Sequence, residues 1–404
     1  MLLGGLMVRK YILENYPNCI RKKGCSKDAL DLPYSYTSPC AKGLFDDLFY
    51  WDTYFINLGL LHDGLVDVAY NNIKDMAYLI DKFGYMPNAA NYALINRSQV
   101  PLFIQMCFDY YQSTKDISFV REMYNVMKKE YRFWTERRSF ENGLCHYGNC
   151  ADDKFHTFFY DEYKGRVKHI ENKEFSKEQV GDNAMSECES GWDFSSRFDQ
   201  RCLSFAPVDL NSIMYANEKT LAFFSSLLSI ENDYEQRAER RKQLINKYLH
   251  CQKGYFDYDV KNDKIKEFYT IASLLPYAYG ISSDKEECRS ILSHLETEKG
   301  ILTSEKVETE CIYQWGYPNM WPNLVYFAFK ALDNLSLEQE AKRISMKYTK
   351  AVEDEFNRCG KLWEKYDAVS GEKAKVNEYS ETEMMGWTAG VYVVLDDYIK
   401  GVRK

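Results

Sequence analysis

Helix-spaced apolar runs separated by short loops recur along this chain, and they constrain its fold more than any other feature. Between Leu65 and Phe83, the apolar residues Val66, Ala69, Ile73, Met76 and Ile80 fall on one helical face. Gly84 follows, where a helix commonly ends in a left-handed residue. Further helices are expected from about Arg9 to Lys22, Leu102 to Thr114, Ile117 to Arg138, Asp209 to Leu228, Asp233 to His250, Ile271 to Tyr279 and Asp284 to Leu295. Another opens in the Gln314–Asn323 stretch and ends near Asn334; Ser336 to Cys359 and Glu383 to Val402 complete the set. Gly59 to Gly64 reads as a turn, Gly254 to Lys266 as an irregular connection and Trp363 to Tyr379 as a loop. The segment from Glu141 to Gln179 is polar and without clean periodicity, and is expected to supply part of a pocket or a lid. About a dozen helices, few strands and no solenoid repeat point to an all-α chain. A closed ring of helix pairs, an (α/α)6 barrel, fits that count, with its inter-helix loops gathered at one mouth.

No Pro-, Ser- or Gly-rich linker interrupts the 404 residues, so residues 1–404 are expected to form one domain, with 1–32 as a helical extension. Basic residues are scattered and the net charge is -8, which argues against a nucleic-acid partner. No apolar run reaches the roughly 18 residues of a membrane span, and the apolar Met1–Met7 is followed rather than preceded by basic residues. The 12 cysteines include no C-x-x-C pair, so no metal is expected, and reduced thiols in a cytoplasmic protein are the expectation. The 33 Tyr, 23 Phe and 7 Trp serve equally as a core or as stacking platforms for sugars. Nothing in the sequence fixes the oligomeric state.

One stretch concentrates chemistry: Glu189-Ser190-Gly191-Trp192-Asp193-Phe194-Ser195-Ser196-Arg197-Phe198. Gly191 admits conformations and close approaches that other residues resist. Trp192 offers a flat face to a sugar or to a core. Arg197 can hold a carboxylate with a bidentate fork. Asp193 beside an aromatic has the surroundings of a carboxyl that donates a proton. The plain alternative is a loop with an ion pair.

These residues, with Phe45–Phe55, Asn96–Pro101, Gln314–Pro322 and Trp363–Val391 in the same order, resemble the trehalases, glycoside hydrolase family 37. The resemblance spans about Pro33 to Val394. It implies an (α/α)6 barrel and an inverting α-glycosidase that needs no cofactor or metal and acts on a small disaccharide or glucoside. By the same resemblance Asp193 is the general acid, and Glu364 of Glu364-Lys365-Tyr366-Asp367 is the general base. Substrate contacts are implied for Phe45, Trp51, Asp52, Asn88, Arg97, Ser98, Gln99, Gly191, Trp192, Gln314, Trp315 and Glu378. Several have a plain counterpart. Trp51-Asp52 suits a buried aromatic with a helix cap, and Gln99 a cap. Arg97 suits an ion pair, Trp315 a core, and Glu378 a solvated loop. Glu364 also suits a simple pair with Lys365.

Four positions depart from the family pattern. Leu44 stands where a substrate-binding Arg is usual, and no Arg-Pro-Glu string occurs between His146 and Lys164. Gly316 replaces an Asp, and Lys373–Asn377 replace a glycine-rich run. Hydrolysis of α,α-trehalose is therefore weighed against hydrolysis of another small α-glucoside, such as a glucosylglycerate. A phosphorylase on the same barrel and an inactive sugar-binding protein are the remaining alternatives.

Overall fold

Gly59 and Gly390 mark a very close contact between two helices of the chain. A Cβ on Gly59 would lie 2.6 Å from Gly390 Cα, and one on Gly390 would lie 2.0 Å from the Phe55 carbonyl oxygen. Only glycine lets two backbones approach so closely. In the computed structural model, which describes residues 2–22, 27–43, 45–170, 174–378, 383 and 386–402, this contact closes a ring.

Fourteen helices occur among the described residues. In chain order they are α1 (Leu2–Cys19), α2 (Tyr50–His62), α3 (Val66–Phe83), α4 (Phe103–Thr114), α5 (Ile117–Arg137), α6 (Asp153–Arg166) and α7 (Lys177–Ser190). Then come α8 (Val208–Leu227), α9 (Tyr234–Tyr248), α10 (Leu275–Ala278), α11 (Lys285–Leu295), α12 (Pro322–Asn334), α13 (Glu338–Cys359) and α14 (Gly386–Ile399). Helix α2 packs on α4, α4 on α8, α8 on α10, α10 on α12, α12 on α14, and α14 back on α2. This is the inner ring; α10 is prolonged by a 3-10 turn over Ile271–Leu274. Helices α3, α5, α9, α11 and α13 form the outer layer, and α1 fills its sixth place against α13 and α14. The expected (α/α)6 barrel is the observed architecture.

Inner and outer helices bury different surfaces. Residues 50–60 of α2 are all buried, as are 322–329 of α12. They contact neighbours on every side, so they need no polar stripe. Helices α3 and α13 bury one face only and are amphipathic.

Helices α6 and α7 stand outside the six pairs. They pack on each other, with Gly181 pressed to the His156 carbonyl, where a Cβ would come within 1.9 Å of the oxygen. Phe159, Tyr163, Val167, Val180, Met185, Cys188 and Phe194 form a small core of their own.

Several sequence expectations are corrected. The first helix covers Leu2–Cys19 rather than Arg9 to Lys22, because Ile20–Arg21 turn away to pair with Tyr36–Thr37. The expected Gly59–Gly64 turn begins later, since α2 runs through Gly59 to His62 against Gly390. The Gly254–Lys266 connection contains three short strands that join Phe205–Ala206 in small antiparallel sheets or pair with His250–Cys251. The illegible 141–179 region holds α6 and the start of α7. The last helix is Gly386–Ile399, shorter than Glu383 to Val402.

Candidate active site

The N-termini of α2, α12 and α14 meet at one end of the barrel, and five of the seven tryptophans gather there. Trp315 stacks on Trp321 at 3.7 Å, and Trp51 lies 5.4 Å from Trp315 and 6.0 Å from Trp387. Trp192 approaches Trp315 at 6.0 Å, with the Arg197 guanidinium over its ring at 4.6 Å. Trp192 is 1% exposed, so it forms part of the floor under the site.

Helix α7 delivers the Glu189–Phe198 string. Gly191 ends the helix at φ 75°, and a Cβ there would lie 2.6 Å from Trp51 Cζ2. Both the conformation and the contact require glycine. The two ends of the string are structural. Glu189 is fully buried and takes Arg138 Nε at 2.8 Å and Nη2 at 3.0 Å, with Gly148 N at 2.6 Å and Ser98 N at 2.9 Å. Arg197 clamps Asp209 and Asp257 with four bonds of 2.7–2.8 Å, and does not touch Asp193.

Asp193 keeps a quarter of its side chain exposed, unlike its neighbours. Arg166 Nη2, at the end of α6, donates to Asp193 Oδ2 and to its carbonyl oxygen, both at 2.9 Å. The same guanidinium donates through Nε to Glu378 Oε2 at 3.0 Å and lies 4.5 Å from the Phe194 ring. Glu378 Oε1 accepts from Phe194 N at 3.1 Å and Gln314 N at 3.3 Å. Burial pushes the Glu378 carboxyl up to about 7, although Arg166 opposes the shift. Gln314 Nε2 reaches the Asp193 carbonyl at 3.1 Å, and Trp315 N reaches the Phe194 carbonyl at 3.2 Å. Beneath the string, Glu187 accepts from Ser195 N at 2.9 Å and Ser195 Oγ at 2.8 Å. Its burial drives the carboxyl up to about 8.

The opposite wall comes from α2 and the 86–101 loop. Gln99 Oε1 accepts from Trp51 N at 3.0 Å, satisfying a donor left open at the start of α2. Asn88 bonds Tyr50 N through its carbonyl at 3.0 Å and the Arg97 carbonyl through its N–H at 2.9 Å. Its side-chain amide is shared between the carbonyls of Ser98 and Cys188, each at 3.4 Å. Ser98 is fully buried, its hydroxyl donating to the Met86 carbonyl at 2.6 Å, so it holds this loop in shape. Arg97 donates Nη1 to Asn96 at 2.7 Å, while its Nε is enclosed without a partner among the described residues; so is Gln314 Oε1. Phe45 is half-buried and meets the ring of Phe49 edge-on at 5.4 Å. Leu44 lies outside the described residues.

Glu364 enters from the loop between α13 and α14. It is 3% exposed and accepts from Lys365 Nζ at 2.7 Å. Trp387 Nε1 fixes its main-chain carbonyl at 2.8 Å, and the next residues pair with Asn319–Met320. Asp52 ties the two walls together electrostatically. Burial, then the charge of Glu364, then that of Asp193, hold its carboxyl well above the ordinary range.

The structure thus joins Asp193, Gln314 and Glu378 in one hydrogen-bond network. Trp51 is bonded to Gln99 and packed on Gly191, Asn88 ties the 86–101 loop to the end of α7, and the charges of Glu364 and Asp193 both act on Asp52. Sequence reading missed Arg166, Glu187 and Arg138. Glu187 stood two residues before Glu189 in a charged run, whereas Arg166 had no signal outside the unreadable segment. Among the described residues no group of three His, Cys, Asp or Glu is set to hold a metal, and no helix is long and apolar enough to cross a membrane.

A family model described as Trehalase matches residues 20–399. The chain is 30% identical to a trehalase of Apis mellifera over 391 aligned residues, covering 87% of this chain and 62% of that one. It is 30% identical to a periplasmic trehalase of Pseudomonas aeruginosa, covering 91% and 71%. The fold is similar to a neutral trehalase from Saccharomyces cerevisiae, with TM-score 0.77 and 22% identity over 90% of this chain and 74% of that one. It is also similar to a mannosylglycerate hydrolase from Thermus thermophilus, with TM-score 0.64 and 16% identity over 96% and 99%.

Proposed function

Since the chain belongs to the trehalase family, a family of glycosidases, we propose that it hydrolyses α,α-trehalose to glucose with inversion, Asp193 acting as general acid and Glu364 as general base. What supports this most is that one tryptophan cluster holds both carboxylate-bearing segments: Gly191 of the Asp193 string packs on Trp51, and Trp387, 6.0 Å from Trp51, donates to the Glu364 carbonyl at 2.8 Å. Inverting hydrolysis needs an acid and a base on opposite faces of the scissile bond, roughly 6.5–9.5 Å apart, with room for a water.

In the proposed step Asp193 gives its proton to the glycosidic oxygen as the C1–O bond breaks. Water attacks C1 from the opposite face and forms the new C–O bond. Its proton goes to Glu364. One glucose leaves with its original anomeric configuration and the other is inverted. Proton exchange with solvent resets both carboxyls.

The remaining residues have proposed roles that follow from their chemistry. Asp52, whose carboxyl is pushed up by burial and by the charges of Glu364 and Asp193, is placed to share hydrogen bonds with sugar hydroxyls. Arg97 Nε and Gln314 Oε1 are enclosed polar atoms for which a hydroxyl is a partner. Trp51 and Trp315 provide apolar faces for a sugar ring. Asn88, Ser98, Gln99 and Gly191 hold the walls in place, and Glu378 holds the loop of the acid. Phe45 offers a partly exposed aromatic face beside Phe49.

A second reading is a different small α-glucoside, favoured by the absence of an Arg-Pro-Glu string between His146 and Lys164. Glucose release from α,α-trehalose and from a panel of α-glucosides, by the protein and by Asp193→Asn, separates the two. Trehalose turnover that Asp193→Asn abolishes supports the first. Cleavage of another glucoside alone supports the second.

A further inference from the structure

Arg166 has no counterpart among the residues assigned from the sequence, yet it makes the most direct contact with Asp193. We infer that Arg166 is the positioning residue of the acid: it fixes Asp193 through Oδ2 and the main chain, so that Oδ1 is presented to the glycosidic oxygen. This rests on the reading of Asp193 as general acid.

The geometry is specific. One planar guanidinium serves three acceptors: Nη2 takes Asp193 Oδ2 and Asp193 O, and Nε takes Glu378 Oε2. Its flat face lies on Phe194, the residue after the acid. No hydrogen bond to Asp193 Oδ1 occurs among the described residues, so that oxygen remains for substrate. Glu378 is the fixed end of the arrangement, since its side chain is fully enclosed and also grips Phe194 N and Gln314 N. Arg166 and Asp193 are each about one-quarter exposed and stand at the open side. A lysine supplies a point charge but not the fork, so it reproduces only part of this grip.

The helix behind Arg166 is as important as the fork. Helix α6 packs through Phe159 and Tyr163 on Phe194, with Tyr163 edge-on at 4.6 Å. The α6–α7 unit has its own core, so the acid is positioned by a body separate from the main barrel core.

The test compares Arg166→Met, Arg166→Lys and Asp193→Asn on two substrates, α,α-trehalose and α-glucosyl fluoride. Fluoride leaves without a proton from an acid, so the second substrate bypasses Asp193. Arg166→Met is expected to lower kcat on trehalose about 10- to 100-fold, the size of a roughly 1 Å misplacement, with KM little changed. Its rate on the fluoride stays near that of the parent protein, and Arg166→Lys recovers part of the trehalose rate. Equal losses on both substrates, or a change in KM alone, would overturn the inference. If Arg166→Met fails to fold, Arg166→Lys carries the same comparison. A selective trehalose loss in Asp193→Asn but not in the Arg166 variants removes this inference and leaves the acid assignment standing. Unchanged trehalose turnover in Asp193→Asn removes both.

Discussion

The indole of Trp51 lies against the backbone of Gly191, with Cζ2 only 2.6 Å from where a Cβ would stand. Helix α2 and the string that carries Asp193 are thus in direct contact. The indole has no room to yield, since Trp315 and Trp387 flank it. Gly191→Ala adds a methyl group at a positive φ as well as a clash. Destabilisation of about 1–3 kcal/mol is expected, together with a fall in kcat because Asp193 is two residues away. Thermal melting and trehalose kinetics on the same preparation check this. Wild-type values for both would show that the string tolerates the side chain.

Arg138 and Glu189 form the buried ion pair that anchors the other wall. Glu189 is fully enclosed, and its two oxygens also receive Gly148 N and Ser98 N. Arg138→Met leaves that charge without its counter-ion. Removing one partner of a buried pair typically costs about 3–5 kcal/mol. Chemical denaturation should report a loss of that size, and a loss below about 1 kcal/mol would mean that Glu189 does not need the pair.

Glu187 predicts a pH dependence. Burial raises its carboxyl from 4.5 to about 8. Below about 4.5 the folded and unfolded chains both hold the proton, and this group imposes no penalty. Between there and about 8 the unfolded chain loses the proton first, so stability falls as pH rises through that window. Glu187→Gln removes the titration. Its melting temperature relative to the parent protein should rise from about pH 5 to about pH 8. A constant difference across that range would contradict the assignment.

Gly390→Ala tests the ring closure. The added carbon would fall 2.0 Å from the Phe55 carbonyl oxygen, with no flexible side chain there to move aside. A large drop in melting temperature or loss of soluble protein is expected, larger than for Gly191→Ala. A stable Gly390→Ala would mean that α2 and α14 separate without cost.

Helix α3 was legible because it buries one face and ends in Gly84 at φ 84°. Helix α2 was not, since burial on all sides erases the helical period, and Gly59 looked like a turn when it was a contact point. Helix α6 buries only His156, Phe159 and Tyr163, too few to mark a face. Arg166 was hidden for that reason and for another: Asp193 lies 27 residues away, and only the α6–α7 packing brings the two together. The Glu189–Phe198 string was recognisable, but its roles divide in a way that residue type alone did not reveal. Glu189 and Arg197 hold walls, and Asp193 faces the open side.

The most direct test of the proposed mechanism is proton NMR of α,α-trehalose during the first minutes of hydrolysis, before the anomers interconvert. Inversion by Asp193 and Glu364 predicts α- and β-glucose appearing in equal amounts. Initial release of α-glucose alone, or no cleavage of trehalose, would contradict it.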